Sequence, residues 1–443
     1  MKEDAMKSIL PISHKLVLEL AERAGIPSPG KASIREIVYL VNLVEKESGV
    51  SFIRMEMGVP GLKPPKIATE AEIDALRQGK ASIYPPIEGV ALLKSETSRF
   101  LKLYLDIQVD PAGCIPTCGS MQGSCAAFLT VNRTDRNKEG TLFIDPGFPV
   151  HKQQCRVLGH DFFSFDIYDY RGKKLRDKLE SYFKTGKISS LLYSNPNNPS
   201  WICLNEEELS IIGDMADQYD VVVIEDLAYF GMDFRKDISQ PGIPPFQPTI
   251  ARYTDNYILL VSTSKVFSYA GQRIAMMAVS DKLFHRKYPD LLRYYTSDVL
   301  GHTIIYGALY ALSAGASHTA QIGVASVLKA ANEGLFNPFT EIRQYGERAM
   351  MMKKLFTRYG FSIVYDMDLD VPIADGFYFT ISYPGFNGAQ LLEELLYYGI
   401  SAITLDITGS TRTEGLRACV SQVGPDSFPL LEERLQLFQK DHT

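Results

Sequence analysis

Five short apolar runs punctuate the middle of this sequence: TLFID (141–145), ISSLLYS (188–194), VVVIED (221–226), YILLVS (257–262) and IAMMAVS (274–280). Each is too short for a helix and rich in β-branched or aromatic residues, as strands buried on both faces are. Stretches of helical character lie between several of them, such as EEELSIIGDMADQYD after Asn205. Parallel neighbours need a long crossover, and a helix is the compact way to make one. The alternation therefore predicts an α/β layer structure around a largely parallel sheet.

The flanks read differently. A long helix is expected over 338–358, then strands in FSIVYDM, GFYFTISY and LRACVSQ, which marks a smaller α+β unit from about residue 335. Near the start, Ser13 should cap a helix that stops at Gly25, and Ser33 with Glu36 forms a capping box. Two helices in about fifty residues cannot build a core of their own. The expected division is thus 1–57, a helical segment packing with the small domain; 58–334, the large domain; and 335–443, the small domain. The Pro-rich stretch 238–250 reads as an ordered surface loop or an insertion.

Composition narrows the function classes. With 46 Lys and Arg against 52 Asp and Glu, the net charge is −6, and no basic block is present. Nucleic acid is not an expected partner. The charges in MKEDAMKSIL occupy the place where a signal peptide needs an apolar core. The longest stretch without Asp, Glu, Lys or Arg, Val299–Leu328, contains His302, His318 and Gln321, so it reads as buried helices at a core or subunit contact rather than a membrane span. Six cysteines without a CxxC pair suit a chain that keeps free thiols in the cytoplasm. No metal site is expected.

Polar residues follow three of the apolar runs. In open α/β sheets, ligands bind beyond the carboxyl ends of strands. Asn195–Ser200 follows the run 188–194, Asp226 closes 221–226, and Lys265 follows 257–262. Singly these are a turn, an N-cap and a solvated lysine. Jointly, with a phosphate cradle, they supply what pyridoxal 5′-phosphate (PLP) demands: a carboxylate for the pyridinium nitrogen and a lysine for a Schiff base. The loop Cys118-Gly119-Ser120-Met121-Gln122-Gly123-Ser124 opens the apolar stretch CAAFLTV, where helix-start N–H groups can hold a phosphate.

On these residues the chain resembles the class I/II aminotransferases, the aspartate-aminotransferase-like group of fold-type-I PLP enzymes, from about Gly58 to Arg417. The segment Ser262-Thr263-Ser264-Lys265-Val266-Phe267-Ser268-Tyr269-Ala270-Gly271-Gln272-Arg273 is similar to that family's lysine signature. The resemblance implies an α/β large domain with a mostly parallel seven-stranded sheet flanked by helices, plus a smaller α+β domain. It also implies that Lys265 carries PLP and acts as general base and acid, with Asp226 on the pyridine nitrogen and Tyr229 and Asn198 on the ring hydroxyl. Gly119, Ser120, Met121, Ser262 and Arg273 would hold the phosphate, and Phe148 would stack over the ring. Arg417 would bind the substrate α-carboxylate, with Asn198 and Gly58 also at the substrate. Tyr84 would reach the phosphate of a neighbouring subunit, which implies a homodimer with shared sites.

The activity so implied is ping-pong transfer of an amino group from an α-amino acid to a 2-oxo acid. A β-eliminating carbon–sulfur lyase is the alternative on the same scaffold. A transcription regulator would need a winged-helix domain and linker ahead of Gly58, and intact Lys265, Asp226 and Arg417 speak against a pseudoenzyme. Two positions depart from the pattern: Tyr269, where the family has an aliphatic residue or Phe, and Trp201, the chain's single tryptophan, where it has Gly. No second arginine stands where a distal carboxylate would bind, and Arg293 in LLRYYTSD is the nearest candidate.

Overall fold

All five apolar runs become strands of one seven-stranded sheet in the computed structural model, which describes residues 10–138 and 140–443. In chain order the strands are β1 (Cys114–Thr117), β2 (Gly140–Asp145), β3 (Phe162–Asp166), β4 (Ile188–Ser194), β5 (Val222–Leu227), β6 (Tyr257–Ser262) and β7 (Ala275–Val279). Their order across the sheet is β1-β7-β6-β5-β4-β2-β3. Pairing is parallel from β3 through β6, while β7 runs antiparallel to both β6 and β1.

The two strands that the apolar pattern did not mark, β1 and β3, are the two edges. Pro116 sits within β1, where a missing N–H is tolerated because an edge has no second neighbour. In β3 the residues Phe162, Phe163 and Ser164 are only partly buried, so the continuous apolar run of a central strand is absent. On one face of the sheet, Ala126, Ala127, Phe128 and Val131 of the helix Ser120–Val131 pack with Ile258, Leu260 and Met277 and with Ile304, Ile305 and Leu309.

Those last residues belong to the uncharged stretch. It folds into the helical segments 300–313, with a π-helical turn over Thr303–Leu309, and the buried helix His318–Asn332. Among the described residues, no helix is long and apolar enough to cross a membrane. The Pro-rich stretch is ordered: Gly242 and Gln247 donate backbone hydrogen bonds to the carbonyls of Leu103 and Tyr104. Residues 1–9, most of the stretch MKEDAMKSIL read above, lie outside the described residues.

The chain forms two compact units. One comprises 62–198 and 202–343; the other comprises residues up to 61, then 199–201 and 344–443. In the second, a four-stranded antiparallel sheet is built from β8 (Ser362–Ile363), β9 (Tyr378–Ser382), β10 (Ile403–Thr404) and β11 (Leu416–Cys419), in the order β10-β11-β9-β8. The N-terminal segment joins this unit by backbone pairing, Ile53–Arg54 lying parallel to Ile400–Ser401. Ser13 caps the helix His14–Arg23, and Ser33 and Glu36 form the full capping box of Ile34–Ser48. The long helix spans Arg343–Arg358, five residues later than its expected start; Pro338 lies in a turn in which Asn337 accepts from the Phe339 amide.

Candidate active site

Register aligns the strand ends that carry the polar residues. Ser194 of β4 pairs with Asp226 of β5, and Asp226 pairs with Leu260 of β6, so Ser262 ends β6 just beyond it. The Asn195 amide extends the ladder by donating to the Asp226 carbonyl. Asn198 is held at this edge by a hydrogen bond that its backbone N–H donates to Ser194 Oγ at 3.2 Å. Tyr229 lies buried in the turn after β5. Ser262 caps the short helix Thr263–Val266, accepting from the Ser264 amide, and Lys265 stands on that helix.

Asp226 is the electrostatic centre of this edge. Its side chain is buried, and Oδ1 has no hydrogen-bond partner among the described residues. Burial pushes its pKa up to about 7, against the opposing pull of the Ala228 amide. His151 Nε2 lies 3.9 Å from Oδ2, but burial drives the imidazole down to about 4, so it is neutral at pH 7. The contact is therefore not an ion pair. A buried carboxyl of this kind calls for a donor that carries positive charge.

A second group of candidate residues lies at the start of the helix Ser120–Val131. Gly119 precedes it with φ 73°, a conformation that Gly adopts without penalty. A Cβ there would stand 2.4 Å from an Arg273 guanidinium nitrogen. The first-turn amides of Ser120 and Met121, which no helical carbonyl can reach, share this space with a fixed cation. Such a grouping suits an anion. Phe148 ends the loop before the helix Pro149–Leu158, its ring edge-on to His151 at 5.6 Å.

In the other compact unit, Gly58 and Arg417 come together around Tyr378. Arg417, on β11 between Thr380 and Ile403, is buried and donates from Nη2 to the Glu56 carbonyl at 2.5 Å. Its guanidinium carbon lies 4.7 Å from the centre of the Tyr378 ring. A Cβ on Gly58 would sit 1.9 Å from the Tyr378 hydroxyl, so only glycine allows this approach. Trp201 is fully buried in the same unit with φ 64°, a left-handed backbone that costs a non-glycine residue about 1–3 kcal/mol.

Sequence reasoning missed His151 and Tyr378. The spacing held a signal for the first, since His151 lies three residues beyond Phe148 on a helix start. Tyr84, by contrast, is 87% exposed in the single chain, beside a cleft lined by Ile83, Ser313 and His318. Arg293 is exposed and stacks on its neighbour Tyr294 at 5.1 Å.

The profile of the family described as aminotransferase class I and II matches residues 51–423. This chain belongs to the class I and II aminotransferases. Members of the family use PLP. A probable aspartate aminotransferase of Methanocaldococcus jannaschii is 25% identical over 68% of this aminotransferase and 82% of its own length. An LL-diaminopimelate aminotransferase of Natranaerobius thermophilus is 24% identical over 55% of this chain and 62% of its own. In fold, the aminotransferase resembles the solved alanine aminotransferase of Pyrococcus furiosus, with a TM-score of 0.75 at 18% identity, covering 92% of this chain and 97% of that one.

Proposed function

We propose that this chain is a PLP-dependent transaminase acting on α-amino acids and 2-oxo acids by a ping-pong mechanism, with Lys265 holding the cofactor. The observation that carries the reading is Asp226, a buried carboxyl whose Oδ1 meets no donor among the described residues. A pyridine N–H supplies that donor and the positive charge that keeps the carboxylate ionised. The Gly119–Arg273 cradle suits the phosphate. Asn198 and Tyr229 serve the ring hydroxyl, Phe148 lies over the ring, and Ser262 joins Gly119, Ser120, Met121 and Arg273 at the phosphate.

Bound PLP supplies an electron sink for the charge left when Cα loses its proton. Lys265 would hold the cofactor and supply the amine that moves the Cα proton, as general base and then general acid. Arg417 would orient the substrate through a bidentate hold on the α-carboxylate, and Gly58 and Asn198 are the other residues assigned to the substrate. Asp226 would pair with the ring nitrogen and favour its protonated form. With Arg293 exposed and no second arginine assigned to a distal carboxylate, neutral or aromatic donors are expected to outperform aspartate.

Tyr84 reaches the partner subunit's phosphate in this reading, so the working form is a homodimer with shared sites. The exposed Tyr84, Tyr306 and Tyr310 support such a contact. The six free cysteines suit a reducing, cytoplasmic setting.

The test is a single-turnover measurement with each amino donor and no acceptor. A transaminase releases one equivalent of 2-oxo acid per site and no ammonia. Repeated release of pyruvate with ammonia would identify the carbon–sulfur lyase instead.

A further inference from the structure

Trp201 holds a strained left-handed backbone, the conformation that glycine adopts most readily. Strain of that kind persists only where the surroundings over-determine it. The surroundings here are specific. The indole is fully buried, and a Cβ placed on Gly376 would lie 1.9 Å from its Cε2 and 2.1 Å from its Nε1. The glycine at 376 is therefore the space into which the indole fits. The indole also meets the Tyr378 ring edge-on, with centroids 6.3 Å apart.

Tyr378 in turn touches two groups assigned to the substrate. Its ring carries the Arg417 guanidinium at 4.7 Å, and its hydroxyl abuts Gly58. The second restraint on Arg417 is its hydrogen bond to the Glu56 carbonyl. Glu56 is itself fixed, buried and bonded to Arg54 Nε and Ser401 Oγ, both at 2.6 Å. The guanidinium is thus held by a rigid carbonyl on one side and an aromatic face on the other. The aromatic face is the one that leans on the strained Trp201.

We propose that Trp201 is a positioning residue for α-carboxylate recognition, setting the Tyr378 ring at the height that presents the Arg417 fork to substrate. A planar guanidinium gains its two parallel hydrogen bonds only in one orientation, so a tilt of the ring beneath it weakens every carboxylate alike. The expected signature is a loss of binding common to all donors, with turnover of bound substrate little changed. The inference rests on the reading of Arg417 as the carboxylate ligand.

The experiment uses the PLP-loaded enzyme and two acids without an amine, 3-phenylpropionate and propionate. Binding is measured by calorimetry, alongside kcat and KM for phenylalanine and aspartate and thermal unfolding of each variant. Arg417→Lys should raise Kd. Trp201→Phe should raise Kd and KM by at least about fivefold, within the coupling that neighbouring groups show, while kcat stays within about twofold. In the Arg417→Lys background the Trp201→Phe effect should largely vanish. Gly376→Ala should copy Trp201→Phe, yet add nothing to Trp201→Gly, because the space is then open. Should Trp201→Gly fail to fold, the Trp201→Phe and Gly376→Ala variants still decide the matter.

A raised Kd in Arg417→Lys with an unchanged Kd in Trp201→Phe would overturn the role of Trp201 alone. So would a Trp201→Phe loss that persists in full without the arginine. An unchanged Kd in Arg417→Lys, or failure of both acids to bind the parent enzyme, would overturn the reading of Arg417 itself and the inference with it.

Discussion

His151 Nε2 faces Asp226 Oδ2 at 3.9 Å, with both side chains buried and burial driving both toward their neutral forms. In the chain by itself, the folded state retains a proton on Asp226 that the unfolded chain releases above about pH 4. The stability this contributes is complete below that pH and is lost as pH rises toward 7. Glu225, also pushed up to about 7, acts in the same sense, whereas His151, pushed down to about 4, opposes both between about pH 4 and 6.5. Asp226→Asn should therefore flatten the fall in stability of the cofactor-free protein by up to about 1.4 kcal/mol per pH unit. Urea unfolding between about pH 5 and 7 reads this slope, and adding PLP to the parent protein should remove the same contribution. An identical slope in the variant would exclude Asp226 as its source.

Lys265 should be the lysine that carries PLP. Borohydride reduction followed by peptide mapping should find pyridoxyl-lysine at 265, and label at another lysine would refute the assignment. Lys265→Ala should lose at least about 100- to 10,000-fold in kcat, the range that a positioned acid–base group supplies.

Arg417→Lys keeps the charge but loses the fork. A charged hydrogen bond contributes about 1.5–3 kcal/mol, so kcat/KM for every α-amino acid should fall together by about 10- to 100-fold. A loss confined to one donor would place the arginine at a side chain instead. The ratio of kcat/KM for phenylalanine over aspartate should exceed one; a ratio well below one would reveal a distal cation, with Arg293 the first to replace.

If Tyr84 completes the partner's site, then mixing Tyr84→Ala subunits with Lys265→Ala subunits should restore part of the activity through one intact composite site. Verified heterodimers without rescue would count against the crossing.

Tyr269, the other departure in the lysine segment, donates its hydroxyl to Glu72 Oε2, while Thr319 donates to Oε1 at 3.0 Å. Tyr269→Phe leaves a buried carboxylate short of one donor, a loss of about 1–3 kcal/mol in unfolding free energy. Glu72→Gln should cost less, since its amide keeps one acceptor oxygen and adds a donor that a hydroxyl can accept from. Chemical denaturation of the three proteins ranks them, and a Tyr269→Phe protein as stable as the parent would show that the bond contributes nothing net.

What the sequence determined by itself was whatever depends on local order. Central strands announce themselves because burial on both faces demands an unbroken apolar run, and Asp226 and Lys265 were legible because a strand end places the next polar residue at a sheet edge. The caps at Ser13 and Ser33 were equally local, each within three residues of its partner amide. The tertiary structure alone decided the rest. Edge strands β1 and β3 escaped because an edge tolerates Pro116 and half-exposed phenylalanines. His151 meets Asp226 across 75 positions of sequence, Tyr269 meets Glu72 across 197, and Trp201 finds its space at Gly376. No periodicity or propensity links such pairs, because their energy exists only once the intervening chain has paid the entropy of closing the loop.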